Sequence, residues 1–479
     1  MRGIVTLLAA LVVAGLLLTW AEPLAPSVTL EPLPTVVGAG TPIDVVARDR
    51  GTGLASVEVR LLPEGAESGL TLARQEFPKT SWRGSGVHET SLSARLGESA
   101  AVAEGPARLQ LWATDHSWLG ALRGGLRAEY PVTVDRTPPT ASIVSSQHAA
   151  RQGGSECVVF RVDPDTTDAG VAVGDEVFPA VAGFFADPAL RVALFAIPWD
   201  RPDAVAQVVA RDAAGNTRRL PLDVRVRPRS WAQKTLAITD DFLQRKVPEL
   251  LAANRLDTSG TLVDGYLRIN RALRGRTEER VGEVTRTSTP AMLWEGAFMR
   301  LPDGAPLSGF ADQRTYVHDG AVIDRQTHLG FDLASLKRAA VPAANTGRVA
   351  FTGTLGIYGD TVILDHGLGL FSLYGHLSEI AVTTGTTVRK GDLLGKTGDT
   401  GLAGGDHLHF STMIHGVHVD PVEWWDAHWI KDHVLARLAP FPRAAVTSPA
   451  APQGESSPPA GAAPGAALAP PQSAAERRS

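Results

Sequence analysis

The sequence predicts a mainly β protein built in several pieces, on three observations. Turns come first: 48 glycines and 33 prolines in 479 residues break up any long helical period. Short alternating runs of β-branched and aliphatic residues recur between those turns, the pattern of half-buried strands. Two successive segments also carry the same order of signals, each a strand running into Ala-x-Asp and then a closing alternating strand. At ~150 residues per domain the chain holds roughly three domains. An apolar content of 44% and a charged content of 20% are ordinary for globular material. The formal charge of −5 argues against a nucleic-acid partner, which usually calls for a basic patch or stripe.

Taken in order, the first element is an apolar run from Ile4 to Ala21, preceded by Arg2 and broken only by Thr6, Gly15 and Thr19. Its 18 residues sit at the lower edge of a membrane-spanning helix. They exceed the ~7–15-residue apolar core of a cleaved signal, and bulky Trp20 spoils the cleavage pattern of Thr19-Trp20-Ala21. The expectation for residues 1–24 is an uncleaved anchor in the inner membrane, with a cleaved signal peptide as the alternative. Either way the remainder is placed in the periplasm or cell envelope. The lone Cys157 has no internal disulfide partner, which is compatible with export.

Residues 25–135 contain Gly53-Leu54-Ala55-Ser56-Val57-Glu58-Val59 and Leu109-Gln110-Leu111-Trp112-Ala113-Thr114-Asp115. Residues 138–228 contain Val205-Ala206-Gln207-Val208-Val209-Ala210-Arg211-Asp212, with Arg136-Thr137-Pro138-Pro139 as a stiff joint before them. In pattern both segments resemble immunoglobulin-like β-sandwiches, and nothing in them looks catalytic. Residues 230–305 change character. Thr239-Asp240-Asp241 is a helix start ahead of Phe242, Leu243, Val247, Leu250 and Leu251, with Pro248 limiting its regularity. Asp264 to Leu273 reads as a second helix, so the segment is expected to be a helical connector packed on the last domain. Residues 306–440 return to short strands, among them a hairpin of Val362-Ile363-Leu364 and Leu370–Tyr374. A closing helix carries Ile430, Val434, Leu435 and Leu438 at the spacing of one helical face. Residues 446–479 are mostly Pro, Ala, Ser and Gly, too poor in large apolar side chains to fold.

Of the 13 histidines, 10 fall between His318 and His433. His328-Leu329-Gly330-Phe331-Asp332, Tyr374-Gly375-His376-Leu377 and His407-Leu408-His409 together read as a metal site with spare imidazoles for proton work. Hydrolytic zinc takes three protein ligands and leaves a fourth place for water; His328, Asp332 and His409 would supply that set. A fully extended run would hold His328 and Asp332 about 13 Å apart, so Gly330 is expected to let the chain bend. His407 and His409, two apart in a strand, face the same way, and His376 joins from another strand. His366 and Asp406 are expected to be turn residues. His318, His415, His418, His428 and His433 are expected to be solvated or structural.

These residues carry a resemblance. The region from about Phe310 to Trp425 resembles the lysostaphin-like or LytM-like (M23) zinc endopeptidases. The likeness rests on His328-x-Gly330-x-Asp332, Tyr374-Gly375-His376-Leu377, Val388-x-Lys390-Gly391-Asp392 and Gly398-Asp399-Thr400-Gly401 leading to His407-Leu408-His409-Phe410. It implies a β-rich metalloendopeptidase domain with one zinc ion on His328, Asp332 and His409. His376 and His407 would serve catalysis on the peptide stems and bridges of bacterial peptidoglycan. His407 is then the first choice for general base and His376 for stabilising the oxyanion, with the two roles exchangeable. Phe310-Ala311 departs from the family's Phe-Gly lead-in. The rival reading is a non-catalytic wall-binding activator of other hydrolases, against which the full ligand set speaks. The stretch 287–317, just before the first ligand, is a candidate to lie across the groove.

Overall fold

In the computed structural model the described residues are 22, 24–81, 84–97 and 102–444. The expected anchor (4–21) and the expected disordered tail (446–479) lie outside them. Among the described residues no helix is long and apolar enough to cross a membrane.

The chain is mainly β, as expected. Strands Ser27–Leu30, Ile43–Arg48 and Glu89–Ala94 form one sheet. A second runs in the order Val36–Val37, Leu126–Val134, Gly105–Asp115, Leu54–Pro63, Leu70–Glu76. Burial alternates along Ile43–Arg48 and Gly105–Asp115, so each sheet turns one face inward. Ile43 and Val45 of the first meet Val59, Leu61, Leu109 and Leu111 of the second in one apolar cluster. The next module repeats the plan with two four-stranded sheets, centred on Ser155–Val162 and Leu190–Ala196 in one and on Thr166–Val173 and Ala206–Asp212 in the other. The repeated Ala-x-Asp signal has a physical meaning: each aspartate ends a strand and holds the following turn. Asp115 Oδ1 accepts from the Ser117 amide at 2.9 Å, and Asp212 Oδ1 from the Asn216 amide at 2.9 Å.

The predicted connector holds the two helical regions and also a strand. Gln233–Ala237 pairs in parallel with Asp312–His318. Thr239 caps the helix Asp240–Ala253, accepting from the Phe242 amide, and Pro248 sits inside that helix. A reciprocal capping box of Thr261 and Asp264 opens Leu262–Arg268, which continues through Ile269–Leu273 into Arg274–Val284. Leu243, Val247 and Leu251 pack with Tyr266 and Ile269, and with Ile357, Tyr358, Phe371 and Met413 of the last domain.

The last domain is built on an eight-stranded sheet ordered Ala305–Ser308, Phe331–Ala334, Leu408–Ile414, Leu370–Leu377, Asp360–Gly367, Gly347–Thr354, Thr387–Val388, with Val417–Val419 against Leu408–Ile414. Its core is continuous with that of the second module. Val159 and Phe195 share a cluster with Leu333, Tyr374, Trp424, Ile430, Val434 and Leu438. The closing helical stretch therefore buries its apolar face between sheet and module. The Ser155 amide donates to Glu423 Oε2 at 2.9 Å across this seam, and Arg229 pairs with Asp420 beside it.

Candidate metal centre

The strand Ala321–His328 ends where the three-stranded sheet ends, and Phe331–Ala334 begins in the large sheet. The chain turns the corner at Leu329-Gly330, which brings His328 Nε2 to 3.0 Å from Asp332 Oδ1. The bend was expected, but the glycine is needed for another reason. Gly330 is not in the left-handed region; a Cβ there would lie 2.4 Å from His409 Cε1 and Nε2 and 2.6 Å from Ser411 Oγ. Glycine leaves room for the His409 ring, the third candidate ligand.

Register places that ligand. Asp332 pairs with His409 across one strand boundary and Gly375 with His409 across the next. By alternation His376 should point to the opposite face from His409. It does not, because the pairing with Asp360–Gly367 slips between Asp360 and Val362 and His376 takes φ = +61°. This bulge re-aims the side chain. The His376 ring centroid lies 5.8 Å from that of His409 and 4.8 Å from that of His407. A left-handed non-glycine residue costs on the order of 1–3 kcal/mol.

All five residues singled out from the sequence line one cavity of about 610 Å³. His328 Nε2, Asp332 Oδ1 and His409 Nδ1 stand 3.0 Å from one another. The neighbours fix which ring nitrogens are bare. His328 Nδ1 donates to the Gly309 carbonyl at 2.9 Å, leaving Nε2 without a proton. Ser411 Oγ donates to the Leu329 carbonyl at 2.7 Å, so it must accept from His409 Nε2–H at 3.0 Å. His409 Nδ1 is then bare as well. Two nitrogen lone pairs and a carboxylate oxygen converge with no proton between them, a donor set that fits a cation. A tetrahedral ion ~2.0–2.1 Å from each donor needs them about 3.3 Å apart, close to the observed spacing.

Burial would raise the Asp332 carboxyl, but His328, His407 and His409 outweigh it and hold Asp332 well below the usual range. Arg314 adds an ion pair to Asp332 Oδ2 at 2.8 Å. Burial lowers His376 well below the ordinary histidine value and His409 to about 4. Burial alone would lower His407 too; its Asp332 contact, at 3.6 Å, outweighs that and raises it. His376 Nδ1 donates to the Thr400 carbonyl at 2.8 Å and His407 Nδ1 to that of Gly405 at 2.7 Å. Both therefore keep Nε2 for other work.

Several supporting residues escaped the sequence reading. Tyr358 lies over His409, ring centroids 4.9 Å apart. It donates its hydroxyl to Glu278, whose other oxygen meets His418 at 3.0 Å. Ser411 had a legible signal, since His407, His409 and Ser411 alternate along one strand face. Arg314 and Glu278 had none. His366 is not a turn residue: it is fully buried within the strand Asp360–Gly367, bonded to Thr346 and Ser372, with its pKa pushed to about 4 by burial. Ala311, standing for the expected glycine, takes φ = +60°. The cavity's far wall is Leu236, Ile238, Thr239, Phe242, Arg245, Tyr266 and Arg274, while the stretch 287–317 contributes Leu307, Ser308, Arg314 and Tyr316.

Residues 326–421 match the family described as Peptidase family M23. Over 95 residues the chain is 39% identical to the DD-carboxypeptidase/endopeptidase Mpg of Neisseria meningitidis serogroup B, covering 20% of this chain and 22% of that one. It is 34% identical over 89 residues to the peptidoglycan DD-endopeptidase ShyA of Vibrio cholerae, covering 19% and 21%. It is 33% identical over 95 residues to the murein hydrolase activator EnvC of Escherichia coli, covering 20% and 23%. The chain thus spans about a fifth of the length of these curated relatives. Residues 326–421 form a peptidase family M23 domain, and the second β module and the mixed connector before it share its cores.

Proposed function

We propose that this protein is a zinc-dependent endopeptidase that hydrolyses peptide cross-links of bacterial peptidoglycan. The observation that carries the reading is the convergence of two bare imidazole nitrogens and one carboxylate oxygen at 3.0 Å spacing in the floor of an open cavity. His328, Asp332 and His409 would hold the ion. When bound, it supplies positive charge that polarises a peptide carbonyl and acidifies a water. His376 and His407, each with Nδ1 committed to a backbone carbonyl and Nε2 left for other work, suit the proton acceptor and the hydrogen-bond donor to the developing oxyanion, with the two roles exchangeable.

The named activity of the Mpg and ShyA relatives supports the reaction class, and that of ShyA the substrate class. The EnvC likeness supports the second reading, a non-catalytic activator. In either case residues 4–21 would anchor the chain in the inner membrane. The two modules, read as immunoglobulin-like sandwiches, would set the distance from membrane to wall. Digestion of purified peptidoglycan, with fragments identified by mass, tests the proposal. Cleavage at a stem-peptide bond is expected, lost with chelator, restored by Zn²⁺, and absent in His409→Ala. A metal-loaded protein that leaves peptidoglycan intact yet stimulates a second wall hydrolase is the activator instead.

A further inference from the structure

A second group of convergent ligands lies far along the chain from the peptidase domain, in the first β module. Glu22, Asp49 and Asp115 each contribute a carboxylate oxygen within 4.8 Å of the others. All three residues are more than nine-tenths buried, at 7%, 4% and 6% exposure. They come from three separate elements. Glu22 lies on the lead-in, Asp49 follows the strand Ile43–Arg48, and Asp115 ends the strand Gly105–Asp115.

Each carboxylate is held by one oxygen and presents the other. Glu22 Oε2 accepts from the Thr52 amide at 2.8 Å and the Thr52 hydroxyl at 2.9 Å. Asp49 Oδ2 accepts from the amides of Gly51 and Gly53 at 3.1 and 2.7 Å. Asp115 Oδ1 accepts from the Ser117 amide and hydroxyl at 2.9 and 2.6 Å. The remaining oxygens, Glu22 Oε1, Asp49 Oδ1 and Asp115 Oδ2, are buried without a hydrogen-bond partner. Two glycines are shaped to the group. A Cβ on Gly51 would lie 1.9 Å from Glu22 Oε1, and one on Gly120 1.9 Å from Asp115 Oδ1.

Positive charge near the group meets this need only in part. Arg123 makes a long ion pair, 3.9 Å, to Asp115 Oδ2, and its guanidinium donates to the Glu22 carbonyl and the Ser117 hydroxyl, none of which reaches Glu22 Oε1 or Asp49 Oδ1. Arg127 donates to the carbonyls of Leu126 and Gly124. Leaving three buried carboxylate oxygens unpaired is costly, and a cation removes that cost. An all-oxygen, carboxylate-rich set selects a hard ion over zinc. Calcium accepts irregular loop geometry, whereas magnesium demands a near-ideal octahedron and gives up water reluctantly.

We propose that Glu22, Asp49 and Asp115 form a calcium site that clamps Glu22 onto the end of the first β module. The ion joins Glu22 to the ends of two strands from different sheets. The site is independent of the metal centre of the peptidase domain.

The test is equilibrium dialysis of the full exported chain, stripped of metal and reloaded with one equivalent of Zn²⁺, against ⁴⁵Ca²⁺ up to ~1 mM, the weak end for extracellular modules. One Ca²⁺ per chain is expected, retained in His409→Ala and lost in both Asp49→Asn and Asp115→Asn. Ca²⁺ should also raise the melting temperature of the wild type and leave that of the Asn variants unmoved. The thermal readout on wild type stands even if a variant folds poorly. Absence of bound Ca²⁺ in the folded wild type, binding that survives both substitutions, or displacement by equimolar Mg²⁺ would each overturn the assignment.

Discussion

Replacing Gly330 by alanine tests the metal centre without touching a ligand. The added methyl would sit 2.4 Å from two atoms of the His409 ring and 2.6 Å from Ser411 Oγ, where ordinary contact begins near 3.4 Å. The backbone does not object, because Gly330 is outside the left-handed region, so the effect is steric and local. The large-sheet strand fixes the backbone of His409, and relief must come from its ring, which has to recede by about 1 Å. Metal–ligand bonds tolerate about 0.2 Å. The same shift breaks the Ser411 bond that leaves Nδ1 bare. Loss of one supporting contact of this kind costs 10–100-fold in affinity, roughly 1.4–2.8 kcal/mol, and here the contact and the ligand position go together. Zn²⁺ competition against a chromophoric chelator should therefore show at least a tenfold weaker complex. The far-ultraviolet circular dichroism should stay at its wild-type level. An unchanged zinc affinity in a folded Gly330→Ala protein would refute the claim that the three donors share one ion.

Two further predictions concern the packing that holds the domain. Burial pushes the Glu423 carboxyl up to about 8, with Asp420 adding to the rise and Arg151 and the Ser155 donors opposing it. The folded state then keeps a proton that the unfolded state has released, so stability falls as pH rises from about 4.5 to about 8 and is level above. At ~1.4 kcal/mol per unit the upper bound is roughly 5 kcal/mol. In Glu423→Gln this pH slope of the urea midpoint should disappear, and persistence of the full slope would count against the assignment. Lys246, buried on the helix Asp240–Ala253, donates its ammonium to the carbonyl of Asp399, at the start of the segment that carries Leu402 to His407. Lys246→Met should cost about 1.5–3 kcal/mol, the worth of a charged hydrogen bond, and lower kcat/KM with zinc stoichiometry unchanged; wild-type melting and turnover would disprove the tie.

The converging group of His328, Asp332 and His409 was legible in the sequence because coordination chemistry restricts candidate ligands to few residue types, and the strand period then fixes their faces. Alternation alone places His407, His409 and Ser411 together, and all three converge on the site. Alternation also puts His376 on the wrong face, and only the bulge opposite Asp360–Val362 corrects it. A bulge is a mismatch between two strands, so neither strand's own sequence announces it. Arg314 and Glu278 were silent for a similar reason. An exposed-type charged residue becomes functional only through the burial that tertiary packing imposes. The alanine at 311 is the instructive intermediate case. Its departure from glycine was visible, and the left-handed backbone there explains why glycine would sit more easily.

The strands that end on Asp115 and Asp212 were legible for a different reason: each Ala-x-Asp turn is a local signal. What sequence patterning does not carry is which buried faces meet. Ile430, Val434, Leu435 and Leu438 read as one apolar helical stripe, yet a stripe does not say what covers it. The second module covers it, together with the sheet that holds His409. The connector's Leu243, Val247 and Leu251 likewise back onto Ile357 and Tyr358, whose ring lies tilted against that of His409. The candidate metal centre therefore has packing behind it on both sides, from the second module through the large sheet and from the connector through Tyr358.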